Sequence, residues 1–346
     1  MTIRIRLGVA GLGLAAVAIA SGPALAADAV ADFYSRTQVT FLVTTPPGGG
    51  NGLIALLLSK HLSRFIPGHP VMVQNFMAGA GGVKGTNWMY NVAPKDGSVI
   101  GMPVASVPIA QYVVQAAGVK FDLPKFTWLG TVSRMTNVLT VWHDAPAKTI
   151  DDARKREIIV GASGKLSWFY IEPTLMNALL GTKFKIVTGY SGSHNMNLAM
   201  ERGEVQARDQ HWQSLMGERP DWVRDKQVRV LVQTGLVSIP QLKGVPQFID
   251  LVKTEREKRM VKLMHATPTL GRSIFAPPGI PADRAAALRK AVADMIKDPA
   301  FIADMKAKDQ DVTPASAEEL QAFLNEIGSI PKAEIDAIRQ LLGLKG

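Results

Sequence analysis

The sequence contains no cysteine among its 346 residues, and this absence excludes two classes of protein. A chain without cysteine forms neither a disulfide scaffold nor a thiolate metal site, and it cannot carry the lipid-modified cysteine of a lipoprotein. Long hydrophobic runs are also missing past residue 26, which excludes a protein with several membrane helices. With 47% hydrophobic residues the chain is globular rather than disordered, and its length indicates about two domains.

Motifs typical of enzymes, nucleotide sites and metal sites are missing as well. The glycine run PPGGGNG (46–52) lacks the Lys-Ser/Thr pair of a phosphate-binding P-loop. Segments 161–165 and 189–193 each differ by one residue from the G-x-S-x-G elbow of a hydrolase, and no histidine pair has H-E-x-x-H spacing. We therefore expect no catalysis, no cofactor and no metal; a secreted hydrolase is the enzyme alternative.

Basic residues outnumber acidic residues by 39 to 29, which gives a net charge of +10. They are spread along the chain, and their one dense cluster, 253–262, also contains Glu255 and Glu257. This cluster is typical of a solvated helix face, and no aromatic-basic motif appears, so we expect no nucleic-acid partner. A positive field of this kind attracts small anions instead.

The N-terminus has the three parts of a secretory signal peptide. Arg4 and Arg6 precede a 14-residue apolar stretch, 7–20, and a break at 21–23 is followed by Ala24-Leu25-Ala26. The alternative is a membrane anchor, for which the apolar stretch is short. We expect residues 1–26 to be removed on export, leaving a periplasmic protein that begins near Ala27.

Beyond the signal, short β-branched runs alternate with helical segments. The run VTFLV (39–43) leads into a glycine loop and then into apolar residues at helical spacing up to Phe65. This pattern recurs, and it predicts an α/β fold with a largely parallel sheet. Helix N-termini at the carboxyl ends of such strands bind anions through free N–H groups. Four strand–loop–helix junctions rich in Gly and Ser are therefore candidate carboxylate loops: 46–50, 79–82, 161–164 and 189–193.

A set of short motifs resembles one known family. They are FYSR (33–36), VTFLVTTPPGGG (39–50), VQNFMAGAGG (73–82), APKDG (93–97) and IFAPPGIP (274–281). In this order they are similar to the substrate-binding proteins of tripartite tricarboxylate transporters, the TctC or Bug family. The resemblance implies a two-domain periplasmic binding protein of the Venus-flytrap type (type II-like), with the ligand cleft between the domains. Its chain crosses between domains twice, which gives domain 1 as 27–131 plus 240–346 and domain 2 as 132–239.

The resemblance also implies a function. Proteins of this family capture a small organic carboxylate and deliver it to the membrane permease subunits of the transporter, and we expect this chain to do so as a monomer. A periplasmic sensor that docks on a signalling kinase is the alternative, because it requires the same two-domain clamshell. The identity of the carboxylate is left open.

The expected ligand site takes its residues from both domains. The family loops correspond to the PPGGG and GAGG segments, and loops of domain 2 are expected to face them. The candidate ligand-binding residues are Pro47, Gly48, Gly49, Gly50, Asn51, Gly79, Ala80, Gly81, Gly82, Ser106, Ser163, Trp168, Gly192, Ser193, Arg208 and Asp209. Asn51 stands where the family commonly has Asp, and Ala78 where it has Pro, so the ligand of a named relative is not assumed.

Several side chains have two interpretations at this stage. Arg208 pairs with a second carboxylate of the ligand, or it forms a surface ion pair with Asp209 or Glu204. Trp168 and Trp212 stack on the ligand, or they pack in the core or at its rim. His194 contacts the ligand, or it lies beside a helix cap facing solvent.

Overall fold

The computed structural model describes residues 23–344 except 46, 48, 165, 166, 191, 192, 237 and 309. Residues 1–22 of the expected signal peptide lie outside this part, and the expected cleavage site after Ala26 falls in the first turn of helix α1 (Pro23–Arg36). Within the described part, no helix combines the length and apolar character needed to span a bilayer.

In the described part of the chain, ten strands form two five-stranded sheets. In chain order the strands are β1 (Val39–Val43), β2 (Met72–Phe76), β3 (Val99–Met102), β4 (Thr127–Thr131), β5 (Asn137–Trp142), β6 (Ile158–Ala162), β7 (Phe184–Thr188), β8 (Ala207–His211), β9 (Val228–Thr234) and β10 (Ser273–Ala276). The first sheet has the order β2-β1-β3-β10-β4 and the second β7-β6-β8-β5-β9. With alternating helices, these sheets confirm the α/β class, and the expected run 39–43 is β1.

The two sheets share one topology. In the first, β1 is parallel to β2 and β3, while β10 is antiparallel to β3 and β4. In the second, β6 is parallel to β7 and β8, while β5 is antiparallel to β8 and β9. Each sheet is therefore largely parallel, as expected, with one reversed strand. In both sheets the reversed strand is the first one after the chain has crossed from the other sheet.

Within the described ranges, fifteen α-helices accompany the strands. After α1 they are α2 (Gly49–Leu62), α3 (Val83–Asn91), α4 (Ile150–Lys155), α5 (Trp168–Leu180), α6 (Ser193–Glu201), α7 (Trp212–Glu218), α8 (Pro220–Arg224), α9 (Phe248–Leu251), α10 (Glu255–Met264), α11 (Ala266–Leu270), α12 (Ala282–Met295), α13 (Pro299–Lys306), α14 (Ala317–Gly328) and α15 (Lys332–Leu341), as described for this part of the chain. The basic cluster 253–262 lies largely in α10, and only one side of it faces solvent, because Met260 and Leu263 are buried. Arg259 on that helix pairs with Glu334 of α15 at 2.5 Å.

The chain crosses between the sheets twice. It leaves the first sheet after Thr131 and enters the second at Asn137; it leaves the second after Thr234 and re-enters the first at Ser273. The crossings touch, because the amide of Arg272 donates to the carbonyl of Ser133 at 2.8 Å. A two-domain arrangement follows from this topology, while the expected domain bounds, 27–131 with 240–346 and 132–239, stay a prediction.

Candidate functional site

The parallel strands of each sheet end at the same level, and the candidate loops start there. Val43 at the end of β1 is in register with Phe76 of β2 and Met102 of β3. In the second sheet, Ala162 of β6 is in register with Thr188 of β7. Because the carboxyl ends of parallel strands share one edge, the loops before α2 and α3 lie together, and so do those before α5 and α6.

The four helices that begin at these edges have uncompensated N-termini. α2, α3, α5 and α6 carry no acidic residue in the first turn. By contrast, α4, α10 and α14 begin with acidic residues and are closed by capping boxes. The first N–H groups of a helix have no partner within the helix and stand at the positive end of its dipole. The four helix N-termini are therefore suited to an anion.

The loop before α3 has an unusual backbone. Its residues Gly79, Ala80, Gly81 and Gly82 all have positive φ, at 139°, 46°, 62° and 90°. A Cβ on Gly82 would lie 2.1 Å from Cγ1 of Val104, so this position accepts only glycine without a shift of its neighbour. Gly79 to Gly81 are exposed, and a Cβ on Gly81 meets nothing within 4 Å. The loop thus presents open backbone at the edge of the sheet.

The PPGGG segment is partly described. Pro46 and Gly48 lie outside the described residues, Pro47 is exposed, and Gly49 and Gly50 are the first two residues of α2. Asn51 follows them in the first turn and is half-buried. The remaining candidate of this half, Ser106, is exposed in the turn after β3.

The loops of the second sheet hold the other candidates. Ser163 is half-buried directly after β6, Gly192 lies outside the described residues, and Ser193 begins α6. Trp168, at the start of α5, is half-buried, with its ring 6.0 Å from that of His265. Its Nε1 and the hydroxyl of Ser167 are buried without a hydrogen-bond partner among the described residues.

Arg208 lies inside the second half rather than on its surface. Only 1% of the residue is exposed, and Nη1 donates to the carbonyl of Ser193 at 2.9 Å and to the side chain of Asn197. Nη2 donates to the hydroxyl of Ser193 at 3.1 Å. The interpretation of Arg208 as a surface ion pair is therefore wrong, and Glu204 instead lies near Arg202 at 3.9 Å. Arg208 positions the first residue of α6, and burial lowers its pKa to about 10.

Three other candidates occupy different surroundings. Asp209 has no exposed surface, and its pKa is raised by burial and then by the charge of Glu172. A ligand in the cleft has no access to this carboxylate in the present conformation. Trp212 is 4% exposed and packs in the core of the second half, which confirms core packing for it, and His194 is exposed.

Two residues outside the expected set lie near the crossings. Nη1 of Arg272 donates to Oδ1 of Asn51 in the first turn of α2. Nδ1 of His211, at the end of β8, lies 2.5 Å from Oδ1 of Asn137. Burial, followed by the positive charges of Arg272 and Arg208, lowers the pKa of His211 to about 4. Arg272 is therefore near both the first turn of α2 and the end of β8.

Sequence signals for these residues were weak. Arg272 stands two positions before the IFAPPGIP motif, and His211 ends the segment GEVQARDQH (203–211), but neither has a motif of its own. Phe169 also lies in this region, with its ring 5.7 Å from His211 and 5.9 Å from the guanidinium of Arg208. Among the described residues, no group of three or more His, Asp or Glu side chains is placed to hold a metal ion.

Comparison with known proteins gives two curated relatives, and no family model matches the sequence. Protein BugT of Bordetella pertussis is 38% identical over 86 residues, which cover 25% of this chain and 26% of that protein. A UPF0065 protein of Pseudomonas sp. strain P51 is 25% identical over 225 residues, which cover 63% of this chain and 64% of that protein. The chain thus spans less than two thirds of either relative.

Solved structures share the fold over nearly the whole chain. A TctC solute-binding protein from Polaromonas, without ligand, superposes with a TM-score of 0.70 at 15% identity, covering 90% of this chain and 99% of that one. The chain therefore has the fold of this TctC solute-binding protein. Two further structures with the same fold have TM-scores of 0.58 and 0.55. The first is Rpa4515 of R. palustris with adipate, at 19% identity, covering 89% of this chain and 98% of that one. The second is MatC of Rhodopseudomonas palustris with bound malate, at 18% identity, covering 89% of this chain and 99% of that one.

The motifs that resemble the TctC/Bug family account for the loops but not for the charged residues near the crossings. The PPGGG and GAGG segments stand at the start of α2 and α3. Arg208 and His211 come from β8 and Arg272 from the second crossing, and the two arginines add positive charge near the loops, while His211 is neutral.

Proposed function

We propose that the protein is a periplasmic receptor that captures a small organic carboxylate between its two sheets. The observation that carries this proposal is the set of four N-termini, those of α2, α3, α5 and α6, none of which has an acidic residue in its first turn. Two of the helices start from each sheet, so one carboxylate can be held from both sides. Free backbone N–H groups and aligned dipoles favour an anion at such a place.

The cationic side chains of the cleft support an anionic ligand. Among the described residues, neither Arg208 nor Arg272 forms a salt bridge with a carboxylate, although both guanidinium groups are largely removed from water. A buried charge without a partner is unfavourable, and an anionic ligand compensates for it. Burial is the main cause of the lowered pKa of His211, and the charges of Arg272 and Arg208 act in the same direction.

The comparisons support the ligand class and the role. Two proteins that share this fold have adipate or malate bound, and both are dicarboxylic acids. We infer delivery of the ligand to the permease subunits of a tripartite transporter from the resemblance to the TctC/Bug family, and a periplasmic location from the signal-like N-terminus. Binding is proposed to occur without catalysis.

A thermal-shift screen tests the ligand class. The purified protein is melted with succinate, malate, adipate, citrate and benzoate, each from micromolar to millimolar concentration. A ligand that binds only the native state at about 100 times its Kd stabilises it by about 2.7 kcal/mol, so a true ligand raises the Tm in a concentration-dependent way. A screen in which no carboxylate raises the Tm would contradict the proposal.

A matched pair of variants tests the loop before α3. Gly81 and Gly203 both have positive φ, at 62° and 70°, and a Cβ on either meets nothing within 4 Å. Asparagine tolerates this backbone conformation best among residues with a side chain, so both Gly81→Asn and Gly203→Asn are expected to fold. Titration calorimetry should show binding weakened at least about tenfold in Gly81→Asn, since one charge-assisted hydrogen bond is worth that much, and unchanged in Gly203→Asn. Equal affinity in both variants would remove this loop from the site.

A further inference from the structure

Arg272 is fixed at the point where the two crossings meet. Its amide donates to the carbonyl of Ser133, and its own carbonyl accepts from the amide of Val132 at 3.0 Å. The preceding residue, Gly271, has φ +43°, and a Cβ there would lie 2.1 Å from the carbonyl oxygen of Ser133. Backbone contacts on both sides therefore hold Arg272 at the base of the cleft, between the first sheet and the second.

The guanidinium of Arg272 has a neutral partner. Its hydrogen bond to a described residue goes from Nη1 to Oδ1 of Asn51, and its Nε is buried without a partner among the described residues. An amide oxygen satisfies one N–H group but leaves the positive charge uncompensated. A carboxylate in place of this amide would neutralise the charge, so the residue at position 51 decides whether Arg272 remains available to an anion.

The neighbouring groups do not supply the missing negative charge. Arg208 is itself cationic, and its two terminal nitrogens donate to Ser193 and Asn197. His211 is neutral over most of the pH range, because burial and the two guanidinium groups hold its pKa at about 4. Both arginines have an Nε without a partner among the described residues, but Arg208 uses both terminal nitrogens whereas Arg272 uses only Nη1, so Arg272 has its Nη2 to offer as well.

We propose that Arg272, kept uncompensated by Asn51, binds a second anionic group of the ligand and so selects its charge. This inference rests on the proposed function, because the first carboxylate is the one placed at the helix N-termini. A planar guanidinium binds a carboxylate through two parallel N–H···O bonds, which an uncharged amide of the same shape cannot match. The protein thus favours a diacid over its own monoamide, although the two ligands have nearly the same size.

Titration of isosteric ligand pairs tests the selection. The probes are succinate, malate and adipate, each against its monoamide, measured by calorimetry at constant ionic strength. We expect the wild type to bind the preferred diacid at least about tenfold more tightly than its monoamide. Arg272→Gln should bring the two affinities within about threefold, mainly by weakening the diacid.

Asn51→Asp provides a second test that keeps the arginine. The new carboxylate lies where Oδ1 of Asn51 accepts from Arg272, so it should neutralise the guanidinium and also abolish the preference for the diacid. The control is Arg289→Gln, which removes an equal charge from α12, where Nε donates to the carbonyl of Trp128 on edge strand β4. This control should keep the wild-type preference.

The possible results separate this inference from the proposed function. If no carboxylate or monoamide binds the wild type, the proposed function fails. If carboxylates bind but the wild type does not discriminate between diacid and monoamide, the proposed function stands and the role of Arg272 is overturned. The role of Arg272 is also overturned, and the proposed function again stands, if Arg272→Gln and Asn51→Asp both fold and both retain the wild-type preference for the diacid. Circular dichroism and melting curves establish that each variant is folded before it is titrated.

Discussion

His211 should make the stability of the protein fall on mild acidification. Its pKa is lowered from 6.5 to about 4 in the folded protein, first by burial and then by Arg272 and Arg208. Between these two pH values the unfolded chain binds a proton that the folded protein does not, so acidification favours unfolding. The contribution of this histidine is present above about pH 6.5 and is lost progressively as the pH falls towards 4. Between about pH 7.5 and pH 4.5 the loss amounts to about 2.5 kcal/mol.

Urea unfolding of the wild type and His211→Gln at these two pH values isolates this contribution. Every other titrating group is present in both proteins, so the difference between their pH-dependent losses of stability belongs to His211. We expect the wild type to lose about 2.5 kcal/mol more than the variant on acidification. Equal losses would show that His211 titrates normally, and its description as a buried side chain near two guanidinium groups would then be wrong.

Two further predictions concern the interior of the second half and the crossings. The pKa of Asp209 is raised by burial and by the charge of Glu172, so the stability of the protein falls as the pH rises above the ordinary range of an aspartate. Asp209→Asn should therefore be more stable than the wild type to urea at about pH 7 and should have no advantage below about pH 4. A variant that is less stable than the wild type at about pH 7 would contradict this. Gly271→Ala should lower the free energy of unfolding by about 3 kcal/mol or more, because the new Cβ lies 2.1 Å from a backbone oxygen of Ser133. Gly244 has φ +89°, and a Cβ there would meet no atom within 4 Å, so the control Gly244→Ala should lower the free energy of unfolding by only about 1 kcal/mol. If the two variants lost similar amounts of stability, the crossings would not pack as described.

Local patterns were sufficient to predict several elements. The β-branched run 39–43 coincides with β1, as expected. The sequence SAEE (316–319) has the pattern of a capping box, and α14 has one, since the Ser316 hydroxyl accepts from the amide of Glu319 and the Glu319 carboxylate accepts from the amide of Ser316. These features depend on residues within one turn or one strand, which is why a single sequence reveals them.

The cleft side chains depend on contacts between distant parts of the chain. Arg272 and Asn51 are 221 residues apart, and nothing near either residue indicates the other. Arg208 stands beside an aspartate in the sequence, which suggested an ion pair, yet successive residues of a strand point to opposite faces of the sheet. Its partners, Ser193 and Asn197, come from α6 on one face, while Asp209 lies with Glu172 of α5.

The shared topology of the halves explains why an extra cation is needed for selectivity. Helix N-termini offer similar backbone donors from both sheets, so by themselves they hold one carboxylate but do not distinguish ligands by their remaining groups. The residue directly before the reversed strand is Arg272 in the first sheet and Thr136 in the second. Thr136 is uncharged and buried, and its carbonyl accepts from the amide of Trp212. The pseudo-equivalent positions thus differ in charge, and on the proposed role of Arg272 a diacid bound at the helix N-termini has one preferred orientation, with its second carboxylate towards Arg272.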